Sequence, residues 1–184
     1  MTRYLIIPGW AGSGPDHWQS HWERDLANAS RVEMPDWLEP RRADWLRTLE
    51  CAVHSLNDPP ILIAHSLGCM AVAHWAAVST HRVRGALLVA PADLDRERCP
   101  TYLREFAPVP RARLRFPSRV VASDNDPYAT LTRVTQIAAD WGSDLTVLET
   151  AGHINSESGH GRWFEGRRLL RQFDEDCEED ESRP

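Results

Sequence analysis

The strongest constraint on the fold is the recurrence of short, wholly apolar runs separated by longer helix-like stretches. Tyr4-Leu5-Ile6-Ile7-Pro8, Ile61-Leu62-Ile63-Ala64, Gly85-Ala86-Leu87-Leu88-Val89-Ala90, Ser118 to Ser123 and Asp144 to Glu149 read as strands, with a shorter one near Arg31 to Met34. Strands without polar alternation are those buried on both faces, as in a parallel sheet covered by helices. The stretches between them predict helices over Asp16 to Ala29, Arg42 to Ser55, Leu67 to about Val78, Pro127 to Trp141 and Gly161 to Phe173. The expected architecture is α/β: a mostly parallel sheet of about five to six strands with helices on both faces. Pro91 to Pro117, with five prolines and six arginines, is the least regular piece; it is long for a plain connection and is expected either to hold a short helix or to line part of the site.

The 184 residues fit one domain, assigned to 1–173. Asp174 to Glu181 hold seven acids and no base, so 174–184 reads as an acidic, disordered tail. Without that end the formal charge of −6 shrinks to near neutrality, which favours neither nucleic acid nor a membrane surface as a partner. No apolar run approaches the roughly 20 residues of a membrane span. The apolar start lacks the long core and cleavage site of a secretion signal, so the cytoplasm is the expected address. The chain contains no lysine, which excludes a Walker lysine, a Schiff-base lysine and a serine–lysine pair. Cys51, Cys69, Cys99 and Cys177 are scattered, without the spacing of a disulfide framework or a zinc knuckle. His17 and His21 lie four apart, but the glutamate of HExxH is missing, so they read as surface or packing histidines. No metal or organic cofactor is implied.

The chemistry concentrates at Ile61-Leu62-Ile63-Ala64-His65-Ser66-Leu67-Gly68, where a buried strand runs straight into a helix. A serine at such a corner points its hydroxyl outward, and the turn needs small residues two positions before and after it. Here those are Ala64 and Gly68, the alanine replacing the usual glycine. A serine hydroxyl needs a base, itself oriented by an acid, before it attacks near neutral pH. Asp126 follows the strand Ser118 to Ser123, with Asp124 as its rival, and Pro127 is expected to open the next helix. His153 follows the run Asp144 to Glu149, in a loop freed by Gly152. Serine, acid and histidine thus stand in order, each just past a strand. The N–H of Leu67 and that of Trp10, in the loop Pro8 to Gly14, are the candidate donors to an oxyanion. The glycines of that loop do not follow GxGxxG, and no phosphate cradle is read from them. Trp10, Trp18, Trp22 and Trp37 are candidates either for the site wall or for the core, and Cys69 is expected to point inward.

These motifs resemble small serine hydrolases of the retinoblastoma-binding-protein-9 type, within the α/β-hydrolase superfamily. The resemblance runs from Arg3 to about Phe173 and rests on Pro8-Gly9-Trp10, His65-Ser66-Leu67-Gly68, Ala122 to Tyr128 and Ala151 to Asn155. It implies a compact α/β-hydrolase fold with minimal or no lid and a triad at Ser66, Asp126 and His153. It further implies cleavage of carboxylic esters, with thioesters and amides as related substrates. The alternatives are a hydrolase-like binding module with a vestigial triad, and acyl transfer to an acceptor other than water. The retinoblastoma-binding motif Leu-x-Cys-x-Glu is not carried over, because Leu49-Glu50-Cys51-Ala52-Val53 ends in valine. The natural acyl group and the oligomeric state are not legible.

Overall fold

The computed structural model describes residues 2–182. Six parallel strands, β1 (Tyr4–Ile7), β2 (Ala29–Arg31), β3 (Ile61–His65), β4 (Gly85–Val89), β5 (Ser118–Ser123) and β6 (Asp144–Leu148), form one sheet in the order β2-β1-β3-β4-β5-β6. Because successive side chains on a strand point to opposite faces, each apolar run feeds two cores. Leu5, Ile7, Leu62, Ala64, Ala86, Leu88, Val120 and Ala122 pack with α2 (Arg42–His54), α3 (Leu67–Ala76) and α4 (Leu131–Trp141). Ile6, Ile61, Ile63, Leu87, Val89 and Val121 pack with α1 (Trp18–Asp25) and α5 (Phe164–Ser182). The central strands β3 and β4 are buried throughout, which is why their sequences lack polar alternation.

The chain leaves β1 toward β2 on one side and returns to β3 on the other. The crevice at the carboxyl ends of β1 and β3 is therefore the topological switch point, where open α/β sheets bind ligands. Gln19 holds this crevice together: its side-chain amide donates to the carbonyls of Ile7 (3.2 Å) and Ile63 (3.0 Å), one on each strand. Residues 91–117 carry a short 3-10 turn at Thr101–Phe106. Their base is fixed by Arg133, which bridges to Asp93 at 3.2 Å and Asp95 at 2.6 Å.

The second strand is Ala29–Arg31, ahead of the expected position near Arg31 to Met34, and two further expectations need correction. The acidic stretch from Asp174 onward is not a disordered tail as far as Ser182; it is the second half of α5. Phe173 and Cys177 are buried on that helix, and Asp174 accepts from the Tyr4 hydroxyl at 2.6 Å and the Thr2 hydroxyl at 3.0 Å. Arg84 lies 3.5 Å from Asp174, and Arg119 lies 3.0 Å from Asp176. Arginines at the start of β4 and β5 thus hold acids that composition alone marks as solvated. The last two residues of the expected tail lie outside the described residues. Secondly, Pro127 does not open a helix. Residues 127–129 form a turn, and α4 begins at Leu131 with the Thr130 side chain as its N-cap. All four cysteines are unpaired. Among the described residues no helix is long and apolar enough to cross a membrane.

If Asp174 docks α5, Asp174→Ala strands the Tyr4 hydroxyl, the Thr2 hydroxyl and one contact of Arg84 together. Urea unfolding is expected to report a loss of about 1–3 kcal/mol. An unchanged midpoint would mean that Phe173 and Cys177 dock the helix unaided.

Candidate active site

Ser66 stands between β3 and α3 with φ 54° and ψ −119°, a conformation that L-residues avoid. Its neighbours enforce it. The Ser66 N–H donates to the Val89 carbonyl of β4 at 3.0 Å, extending the sheet through the corner. A Cβ on Gly68 would come within 2.4 Å of the Ile7 carbonyl oxygen and 2.7 Å of that of Pro8, so this position accepts glycine alone. A Cβ on Gly9 would lie 2.9 Å from the Ser66 Cβ, which shows how closely the loop after β1 crosses the elbow. Ala64 is fully buried, and its methyl is accommodated within the core packed by α2, α3 and α4.

The three residues singled out by their order meet here. His153 Nε2 is 2.9 Å from Ser66 Oγ, and His153 Nδ1 is 2.8 Å and 3.0 Å from the two Asp126 carboxylate oxygens. Only 3% of the Asp126 side chain is exposed. One of its oxygens also accepts the Tyr128 N–H at 2.8 Å, which sets the carboxylate plane. With Nδ1–H donated to the carboxylate, Nε2 presents its lone pair to the serine hydroxyl. The Leu67 N–H is the first of α3 and has no acceptor within the helix. Neither it nor the Trp10 N–H donates to another backbone group among the described residues. Both residues line a cleft of about 350 Å³ together with Ser66 and His153.

Other groups hold the histidine, and sequence order did not reveal them. Three consecutive side chains at the end of β5 and just past it receive three consecutive N–H groups of the histidine loop. Thr150 donates to Asp124 at 2.7 Å, Ala151 to the Ser123 hydroxyl at 3.0 Å, and Gly152 to the Asn125 amide oxygen at 2.7 Å. Asp124, the rival acid, therefore orients the backbone of this loop. On the other side the buried His65 ring donates from Nε2 to the His153 carbonyl at 2.9 Å. His17 stacks edge-on against His65, with ring centroids 4.8 Å apart, and caps α1 by accepting the Gln19 N–H. The signal for His65 was its adjacency to Ser66; for His17 it was a polar residue beginning a tryptophan-rich helix.

Of the tryptophans, Trp10 lines the cleft, Trp18 and Trp22 are sealed in the core, and Trp37 packs beside the core under Gly12. Cys69 points inward, its thiol donating to the Val89 carbonyl at 3.4 Å. His21 takes a hydrogen bond from Arg24 instead of converging with His17. Among the described residues no group of three or more histidines, cysteines and acids is gathered for a metal.

The sequence profile of the serine hydrolase family matches residues 4–172. The chain belongs to this family. A hydrolase of Bacillus subtilis, YdeN, is 39% identical over 77 residues, covering 39% of this chain and only 40% of that protein's length. The crystal structure of a YdeN-like hydrolase of Pectobacterium atrosepticum is 32% identical, covers 96% of this chain and 92% of its own, and superposes with a TM-score of 0.86. The B. subtilis YdeN structure superposes with a TM-score of 0.79 over 95% of this chain and 100% of its own, at 23% identity. Over most of its length this serine hydrolase therefore shares the α/β-hydrolase fold.

Burial pushes the His17 ring from 6.5 down to about 3, helped by the charges of Arg31 and His153, and burial likewise pushes His65 well down. A histidine whose folded pKa is depressed stabilises the fold above its unfolded pKa and loses that contribution as pH falls toward the folded value. Acidification from about pH 6.5 to about pH 5 is expected to cost about 2 kcal/mol through His17 alone. His17→Asn, which keeps a capping acceptor but cannot take a proton, should show a shallower fall in urea midpoint over that window. An identical slope in the variant would contradict the assignment.

Proposed function

We propose that this serine hydrolase cleaves carboxylic esters of small acyl groups through an acyl-serine intermediate. The observation that carries the reading is the unbroken series of hydrogen bonds from Ser66 Oγ through His153 to Asp126. In the first half-reaction Ser66 Oγ attacks the ester carbonyl while its proton passes to His153 Nε2. The Asp126 carboxylate holds the imidazole in place and stabilises the imidazolium that forms. Negative charge on the carbonyl oxygen is met by the N–H groups of Leu67 and Trp10, and by the positive end of α3. When the tetrahedral intermediate collapses, the carbonyl–alkoxy bond breaks and His153 returns the proton to the departing alcohol. A water molecule, deprotonated by the same nitrogen, then attacks the acyl group, releasing the acid and restoring the Ser66 hydroxyl. The sum is ester plus water giving acid plus alcohol, with no further reactant.

The cleft supports a modest substrate. About 350 Å³ lies between the elbow and residues 91–117, which contribute Ala92, Leu94, Pro100 and Leu103 to its wall. That segment acts as a fixed side of the cleft, since Arg133 anchors Asp93 and Asp95 at its base. A small-molecule ester is the substrate class we infer.

Turnover of p-nitrophenyl butyrate tests the proposal. Ser66→Ala and His153→Ala are each expected to lower kcat by about a thousandfold or more, with Asp126→Asn close behind. Near-background turnover that is equal in wild type and His153→Ala would point to a binding module instead. Faster turnover on adding an alcohol would show acyl transfer.

A further inference from the structure

We propose that the cleft selects esters carrying a carboxylate, which Arg96 binds; this rests on the ester-hydrolase reading of the same site. Arg96 is half-buried and lines the cleft with Ser66, His153 and Tyr128. Its guanidinium is held in two ways: Nη1 donates to the Pro127 carbonyl at 3.3 Å, and the group lies over the Tyr128 ring, 5.3 Å from its centroid. Tyr128 in turn packs edge-on against His153, with centroids 4.5 Å apart. The cation is thus fixed one ring away from the base.

What distinguishes Arg96 is the absence of an anion. Among the described residues no carboxylate lies within ion-pair distance of it, and its Nε is buried without an acceptor. Of the acids beside it in sequence, Asp93 and Asp95 are both engaged by Arg133, and the exposed Glu97 makes no ion pair with Arg96. A guanidinium partly removed from water, held by one carbonyl and one ring, retains donors suited to a carboxylate. The opposite charge in the cleft lining is Glu157, exposed on the histidine loop, and no ion pair joins it to Arg96. On the side of residues 91–117 the wall is apolar, with Ala92, Leu94 and Leu103, and Trp10 and Tyr102 stack 5.2 Å apart, while Asn155 and Ser156 add polar groups from the histidine loop. A short carbon chain ending in a carboxylate matches this distribution, with its ester carbonyl at Ser66 and its charge at Arg96.

The test compares kcat/KM for p-nitrophenyl butyrate with that for the mono-p-nitrophenyl ester of glutaric acid, which carries a carboxylate on the acyl side. The butyrate ester of p-hydroxybenzoate places the charge on the alcohol side. In Arg96→Gln the ratio of one carboxylated ester to the neutral one should fall about tenfold or more, the worth of one charged hydrogen bond. Arg96→Lys should restore part of it. Taking the ratio removes any effect transmitted through Tyr128 to His153, since a purely structural role lowers all three esters alike. Unchanged ratios in Arg96→Gln would overturn the proposal. Should wild type hydrolyse none of the esters, the ester-hydrolase reading fails, while glutarate binding by calorimetry still decides the inference. Binding to Ser66→Ala that disappears in Ser66→Ala/Arg96→Gln supports it. Equal or undetectable binding in both overturns it, and tighter binding of inorganic phosphate than of glutarate overturns the choice of carboxylate.

Discussion

A serine held at positive φ at the end of a fully buried strand adopts a conformation worth about 1–3 kcal/mol of strain, and the surrounding chain has to impose it. Here the imposition comes from the sheet itself. The Ser66 N–H is bonded to β4, the loop after β1 presses Gly9 against the elbow, and Gly68 lets α3 start within touching distance of the Ile7 and Pro8 carbonyls. These contacts exist because β1, β3 and β4 are neighbours in register. The same adjacency opens the crevice at the switch point and leaves the first N–H of α3 facing it. Strand order, elbow and cleft are therefore consequences of one another.

The histidine is set by a second group of interactions. Ser123, Asp124 and Asn125 receive the N–H groups of Thr150, Ala151 and Gly152, so the segment leading to Asp126 fixes the backbone that carries His153. His65 holds that loop from beneath through the His153 carbonyl. Since His65 directly precedes Ser66, one hydrogen bond links the segment of Ser66 to that of His153. Burial keeps His65 and His17 uncharged near neutral pH, so this support adds no positive charge beside His153.

The sequence carried five of the six strands and the position of Ser66, Asp126 and His153 each just past a strand, because both depend on local pattern. β5 was read to the residue, and β3 and β4 within one residue, since unbroken apolar runs between turn residues leave little choice. The supporting groups were not legible. His65, His17 and the clamp on the histidine loop act across separations of many residues, and nothing in their local sequence marks a partner. The acidic end was misread for the same reason. Seven acids within eight residues look solvated until the fold brings Tyr4, Arg84 and Arg119 beside them and buries Phe173 and Cys177. Pro127 misled because a proline after an aspartate suits a helix start and a turn equally, and the Tyr128 N–H bond to Asp126 selects the turn.

The proposed chemistry requires that the hydroxyl at the elbow be made reactive by the imidazole beside it. Covalent labelling with a fluorophosphonate, followed by peptide mass spectrometry, measures this without reference to any natural substrate. The adduct should sit on the peptide containing Ser66, form rapidly in wild type and be lost in His153→Ala. An adduct on a different serine, or labelling that persists at full rate in Ser66→Ala, would contradict it.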